Sequence, residues 1–432
     1  MQKKTYHSIT QGTKKFNFIA LPNTNYFMMT LVSHMGSNIE RVYKAKTGKT
    51  VYGCTHLIEH LAFKSCKDFT TEELLSISKN QGSSNAGTTY DYVDYIFETT
   101  MDNCDLAIRV VFNLAFNDFS KLTQEEFETE KMVVINEVKQ YMDDDQTMFA
   151  YNSYRGACGY EEGDNVLGLP SILETITRDD VIKIKHCLLS NEHLSYNIMY
   201  DPCVISEQAI VDKILLEEAR FQHTSSCDIT KEEYYQGLKF PQPGDVVIEN
   251  ESDQAMTMLM FECEDNAILI DIVSKYFEKY AQESSLDDLI RQKNGLTYGI
   301  ASYMEPLSHK PYLYFTCDVS MGDEIKLMEL FRESIDATVA SFTKEKHAEF
   351  MKGLFLRKTL SNLNLGNYQV LFFINSLDEN VLKPFDSILI EDIDEGFKMI
   401  YNDIANYENI QRCMLSFQQT LQEGKYARIT NV

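Results

Sequence analysis

Residues 51–63 read Val-Tyr-Gly-Cys-Thr-His56-Leu-Ile-Glu59-His60-Leu-Ala-Phe, and the five at 56–60 carry the most chemistry in the chain. Apolar spacing predicts a helix over about 51–65. Positions i and i+4 of a helix lie on one face about 6 Å apart. Two imidazoles so placed can share one metal ion at the roughly 2.0–2.1 Å of a zinc–nitrogen bond. Glu59 projects beside that face, where a carboxylate can take a proton from water without ligating the metal. Two hydrogen-bonded helix histidines next to a solvated glutamate would produce the same five letters.

A hydrolytic metal site needs a third protein ligand and leaves one position to water. The segment 123–142, opened by Thr123 and Glu126 in capping-box register, supplies candidates. Its apolar stripe runs through Phe127, Val134, Val138 and Tyr141. Glu130 and Glu137 flank that stripe beside Val133 and, seven residues apart, point almost the same way. Glu128, Lys131 and Lys139 are expected to face solvent. Carboxylates turned toward a core must be paired or ligating; the alternative is an acidic helix with two more charges on its boundary.

The chain has 432 residues, enough for two to four units with sizeable cores. Its 40 Lys+Arg against 65 Asp+Glu give a net charge of −25, which disfavours nucleic acid and anionic membranes and favours basic or neutral partners. With 44% hydrophobic residues and only 8 Pro, it reads as a folded globular chain. The 10 cysteines show no C-x-x-C pair and read as reduced thiols, with Cys54 a small core filler rather than a redox centre. Neither a signal-peptide core nor an apolar run long enough to span a membrane is visible, so the expected compartment is the cytoplasm.

Strands are expected at 16–20 and 26–34, helices at 51–65 and 71–81, and a strand at 91–99 with Val93, Tyr95 and Phe97 opposite Asp94 and Glu98. Helices follow at 103–117 and 123–142, then a Gly- and Tyr-rich loop at 151–168, a helix capped by Thr177, a strand at 193–200 and a helix at 205–220. Residues 223–243, with Pro241-Gln-Pro243, read as a linker. Beyond it the pattern restarts: strands at 245–250 and 255–263, one helix over 266–292, strands at 297–304 and 311–319, and helices at 323–342, 344–363, 366–377 and 390–405. This repetition predicts an α+β chain of two homologous α/β sandwich domains, 1–222 and 244–432, each an antiparallel-rich sheet with helices on one face.

His56, Glu59 and His60, with Glu137 placed 77 residues after His60 and Glu130 seven before Glu137, resemble the inverted-zincin motif of the pitrilysin family of zinc metallopeptidases. That family includes insulin-degrading enzyme and the mitochondrial processing peptidases. The likeness covers nearly the whole chain. Gly36-Ser37 with Glu40 resembles its G-S-x-x-E strand exit, and Gly82, Asn85-Ala86, Thr88, Asp91 and Tyr95 resemble its G-x-x-N-A-x-T stretch. Residues 134–144 (VINEVKQYMDD) are similar to the processing-peptidase version. Arg291, Gly295, Leu296 and Tyr298 resemble the family's R-x-x-x-G-L-x-Y.

The resemblance implies a processing-peptidase-like metallohydrolase fold and one zinc per chain, held by His56, His60 and Glu137. It makes Glu59 the general base, Glu130 a carboxylate that orients a ligand, and Arg291 and Tyr298 a pair that binds substrate and stabilises the tetrahedral intermediate. Asn85 and Ala86 would lie where the substrate backbone adds as a strand. Residues 281–288 (AQESSLDD) replace the glycine-rich stretch that often precedes the arginine, so a preference for mitochondrial presequences does not carry over. Large relatives place four such domains in one chain around a closed chamber. A two-domain chain therefore implies a second subunit: a homodimer first, a heterodimer with a related subunit second, with Arg291 and Tyr298 serving the partner's zinc. The expected activity is a zinc endopeptidase acting on peptides or unfolded and leader segments. The rivals are a non-catalytic scaffold or partner subunit, and a zinc enzyme with a non-peptide substrate on a smaller fold, which the length of the chain disfavours.

Overall fold

The computed structural model describes residues 4–11, 14–189, 194–221, 229–248, 254–263, 265, 267–307, 310–361 and 402–431. Two sheets organise it. The first contains β1 (Thr5–Gln11), β2 (Lys14–Ala20), β3 (Tyr26–Ser33), β4 (Ser83–Thr88), β5 (Val93–Thr100) and β6 (Leu194–Tyr200), in the spatial order β1-β2-β6-β3-β5-β4. The second contains β7 (Gly244–Ile248), β8 (Gln254–Glu262), β9 (Ile300–Leu307), β10 (Lys310–Ser320) and β11 (Ala427–Asn431), in the order β7-β11-β8-β10-β9.

With β2 and β7 counted as first strands, both sheets run first, fifth, second, fourth, third. In each, first and fifth are parallel and every other neighbouring pair is antiparallel. The repeated order of elements thus appears as a repeated topology. The first sheet adds β1, a strand whose sequence TYHSITQ has little apolar alternation and was not expected.

On the first half lie α1 (Ile39–Thr47), α2 (Cys54–Ala62), α3 (Thr71–Asn80), α4 (Cys104–Ala115), α5 (Gln124–Met142), α6 (Asp145–Cys158), α7 (Pro170–Leu173), α8 (Arg178–Leu188), α9 (Glu207–Glu218) and α10 (Lys231–Gln236). On the second lie α11 (Ala267–Lys275), α12 (Glu324–Ser341), α13 (Lys344–Ser361) and α14 (Tyr407–Gln422). None of the described helices is long and apolar enough to cross a membrane.

Five expectations change. The stretch 151–168 is not all loop: α6 is capped by Asp144, which accepts from Thr147 N, and stops at Gly159 with φ 64°. Phe149 and Ala157 of α6 pack on Met256, Met258, Met260 and Ile429 of the second sheet. That sheet is therefore covered on both faces, not one, because α11, α12 and α14 occupy the other. The linker segment contains α10, whose Tyr234 is buried. Its hydroxyl accepts from Gly36 N at 3.1 Å and donates to Tyr90 O at 3.1 Å, so this part of the connection is docked on the first half.

The single helix over 266–292 breaks after Lys275 into wide-turn segments at Tyr276–Tyr280 and Asp287–Lys293 with a 3-10 turn between them. Tyr276, Phe277 and Glu278 are all buried in the first of these segments, and Glu278 accepts from Ser302 N at 2.9 Å. Finally, the thiols are not uniformly reduced. Cys54 is fully buried with its thiol pushed well above the ordinary range, as a core filler should be, but Cys187 is disulfide-bonded. The expected helix 366–377, and 390–405 up to residue 401, lie outside the described residues.

Candidate metal centre

Glu40 of α1 sets the start of α2, the helix that carries the candidate ligands His56 and His60. It is buried and accepts from Gly53 N at 2.9 Å and from Thr55 N at 2.6 Å, satisfying two of the N–H groups that open α2. Burial pushes its carboxyl up to about 8 despite those two donors. Gly53 has φ 88°, and a Cβ there would stand 2.5 Å from Leu167 O, so only glycine fits. Leu57, Ile58 and Leu61 then bury the opposite side of α2, leaving His56, Glu59 and His60 to face α5 and β4.

His60 Nε2 lies 3.2 Å and His56 Nε2 3.8 Å from Glu137 Oε2, and the two rings stand 4.8 Å apart at 85°. One ligand atom from each of the three residues falls within 4.8 Å of the others. His60 Nδ1 is 3.1 Å from Glu130 Oε1, and Lys64 Nζ binds the other oxygen of Glu130. Two nitrogens and one carboxylate, two-thirds occluded and with a solvent side left at Glu137, form a donor set that fits zinc. His56 Nδ1, buried without a hydrogen-bond partner among the described residues, leaves that ring held by nothing polar except what its Nε2 would ligate.

Electrostatics divide the two rings. Burial, aided by His60, lowers His56 to about 4, so it is neutral and ready to ligate. Burial also opposes a charge on His60, but the bond to Glu130 and the charges of Glu137, Glu130 and Glu59 outweigh it and raise its pKa. Burial would raise Glu130, yet His60 and Lys64 hold it below the ordinary carboxylate range. Glu59 is raised by burial and by Glu137 over the opposing effects of Thr88 and His60.

Thr88 Oγ1 donates to Glu59 Oε2 at 2.5 Å. Thr88 ends β4, the outermost strand of the first sheet, on which Asn85 and Ala86 pair with Ile96 and Tyr95. The edge strand and the candidate base are thereby tied together. Asp94, opposite Gly87 on β5, is pushed up to about 7 by burial and by Glu59. Neither tie was read from the sequence. In the sequence Thr88 stands out only by motif likeness, and Asp94 only as the outer side of an alternating strand.

Lys131, expected in solvent, is buried and donates to Ile176 O at 3.3 Å, because α7 and the turn after it cover that side of α5. Tyr141, placed in the apolar stripe, is instead exposed. Arg291 and Tyr298 are brought to each other, guanidinium 5.4 Å from the ring centre, but their contacts are local. Arg291 pairs with Asp287, and Tyr298 is 93% exposed, ahead of edge strand β9.

Residues 30–161 match the family model described as Insulinase (Peptidase family M16). An uncharacterized zinc protease of Rickettsia bellii is 23% identical over 299 residues, 66% of this chain and 66% of that protein, so the chain spans just under two thirds of that relative's length. Among solved structures, a protease from Helicobacter pylori superposes with a TM-score of 0.76 at 16% identity, covering 99% of this chain and 100% of the other. A peptidase M16 inactive domain from Pseudomonas fluorescens superposes with a TM-score of 0.76 at 11% identity, covering 99% and 97%. At these identities the superpositions establish a shared α+β fold with two sheets. The stretch that holds His56, Glu59, His60, Glu130 and Glu137 is an insulinase-family, peptidase family M16, domain.

Proposed function

We propose that the chain is a zinc-dependent endopeptidase. The observation that carries this reading is the convergence of His56, His60 and Glu137, with Glu59 held at its side by Thr88. One zinc per chain would be held by those three residues, and it supplies Lewis acidity to the carbonyl and to water. Glu59 takes the proton of the attacking water and returns it to the leaving amine, and its raised pKa brings it nearer the working range of a general base. Glu130 accepts from His60 Nδ1 and keeps the other nitrogen of that ring available. A peptide pairing along Asn85 and Ala86 of β4 would be led past Glu59 by the strand that also positions that carboxylate.

Arg291 and Tyr298 would steady the developing oxyanion from a second subunit, which suits a tyrosine left exposed in the single chain. The assembly proposed is a homodimer enclosing a chamber, with a heterodimer the alternative. Each chain would contribute a catalytic domain, 1–222, a connection, 223–243, and a second domain, 244–432. Substrates are basic or neutral peptides and unfolded or leader segments, favoured by the charge of −25. The compartment proposed is the cytoplasm, supported by eight free cysteines among the described residues and opposed by the Cys187 disulfide.

Mass spectrometry of products from a mixed peptide library tests the activity: Glu59→Gln should retain zinc and yield none. A Glu59→Gln protein with wild-type turnover sinks the assignment. Mixing Glu59→Gln with Tyr298→Phe subunits tests the assembly, since sites built across two chains recover activity and sites within one chain do not. The second reading, a non-catalytic partner subunit, is favoured by the likeness to an inactive domain. A purified chain without stoichiometric zinc would support it.

A further inference from the structure

A cavity of about 520 Å³ opens between the end of α4, the following Phe116–Lys121 turn, α8 and the Arg220–Phe221 turn. It is separate from the metal cluster, whose residues do not line it. Lys185 of α8 lies on its wall, 4% exposed, and its Nζ has no hydrogen-bond partner among the described residues. The Phe119 ring, with its centre 4.2 Å from Nζ, is the ammonium's close neighbour. Such a group is costly to bury without an acceptor.

Besides Arg220, whose guanidinium is paired with Asp68 and Glu217, two more cations stand at the same cavity. Lys67 Nζ binds Arg220 O, and Lys121 Nζ binds Lys67 O at 2.9 Å; both bonds are to backbone carbonyls, which hold the lysines in place without neutralising them. Asp118 is the lining carboxylate, and it is occupied by Ser120 N at 2.9 Å. In a chain of net charge −25 this is a concentrated positive site. Phe116 and Phe221, with ring centres 5.8 Å apart, give it an apolar wall.

We propose that this cavity binds an organic oxyanion, a carboxylate or phosphate monoester on an apolar body, with Lys185 as its buried ligand and Lys67 and Lys121 at its mouth. The head group supplies the acceptor that Lys185 lacks, and the body packs on the phenylalanines. Burial lowers Lys185 to about 7 over the opposing pull of Asp118, which attracts the amine without hydrogen-bonding to it.

Calorimetric titration of the full chain at constant ionic strength tests this, with phenyl phosphate, benzoate and inorganic phosphate as probes. Saturable one-to-one binding of phenyl phosphate or benzoate is expected, and which of the two is tighter identifies the head group. Inorganic phosphate should bind at least about tenfold more weakly than the better organic probe, for want of the apolar body. Lys185→Met should weaken the better probe by about tenfold or more, and the partly exposed Lys121→Ala by about threefold, with thermal melting of Lys121→Ala unchanged. Absence of saturable binding by both organic probes overturns the proposal. So does an affinity unchanged in both variants, or inorganic phosphate binding as tightly as phenyl phosphate.

Discussion

Glu130 Oε1 stands 3.1 Å from Nδ1 of His60 while Nε2 of the same ring stands 3.2 Å from Glu137 Oε2. With Nδ1–H donated to Glu130, the lone pair of Nε2 is left facing the other two candidate ligands, so a residue that ligates nothing selects the ligating tautomer. Lys64 on the other oxygen of Glu130 keeps that carboxylate charged and in place. Glu130→Gln should therefore weaken zinc binding by about 10- to 100-fold with the fold intact. Chelator competition with circular dichroism measures both, and unchanged zinc affinity would remove Glu130 from the site.

Among the described residues Thr88 hydrogen-bonds to the candidate base and to none of the candidate ligands. Thr88→Val removes one hydrogen bond to a charged group, worth roughly 1.5–3 kcal/mol, so turnover should fall about 10- to 100-fold. Zinc content should stay at the wild-type level, and Thr88→Ser should restore most of the rate. If Thr88→Val lost zinc or unfolded, the contact would be holding the sheet rather than aiming the base.

The raised pKa of His60 sets the direction in which zinc loading depends on pH. A proton on His60 must leave before the ring can ligate, and Glu130 and Glu137 hold that proton to a pH above the ordinary 6.5. Apparent zinc affinity should therefore rise with pH through a midpoint above 6.5. His56, lowered to about 4, adds no dependence in that range. Glu130→Gln removes the largest of the raising contributions and should move the midpoint down. Zinc dissociation constants measured from pH 5 to 9 test this, and a wild-type midpoint below 6.5 contradicts it.

The helix of the candidate metal centre was legible because its chemistry is local: His56 and His60 meet by helical spacing alone, and Glu130 and Glu137 share a face of α5 by the same rule. What the sequence hid depends on neighbours far along the chain. Ser83–Thr88 shows no apolar alternation because β4 is an edge strand with small, polar residues, and Thr88 meets Glu59 only once β4 lies beside α2. Helix α6 reads as a loop because Phe149 and Ala157 bury their face against Met256, Met258 and Met260 of β8 and Ile429 of β11, far along the chain. Lys131 was placed in solvent because a helical wheel drawn for one covered side cannot register that Ile176 closes a second.

Glu40 joins the stability of the fold to α2 and its candidate ligands, and its titration can be isolated. A carboxyl whose folded pKa lies near 8, above the unfolded value of about 4.5, binds a proton on folding between those limits. Its contribution to stability is complete below pH 4.5 and is lost as the pH rises toward 8. Glu40→Gln, neutral throughout and nearly the shape of the protonated acid, should lack that dependence. Denaturant unfolding at pH 5 and at pH 8 should then show wild type losing stability relative to the variant as the pH rises. The opposite slope would mean that Gly53 N and Thr55 N hold Glu40 as a carboxylate, with its folded pKa below the unfolded value. Glu40→Ala, which leaves both N–H groups buried and unpaired, should destabilise at either pH by about 2–4 kcal/mol. It should also weaken zinc binding, because His56 follows Thr55 directly in the same helical turn.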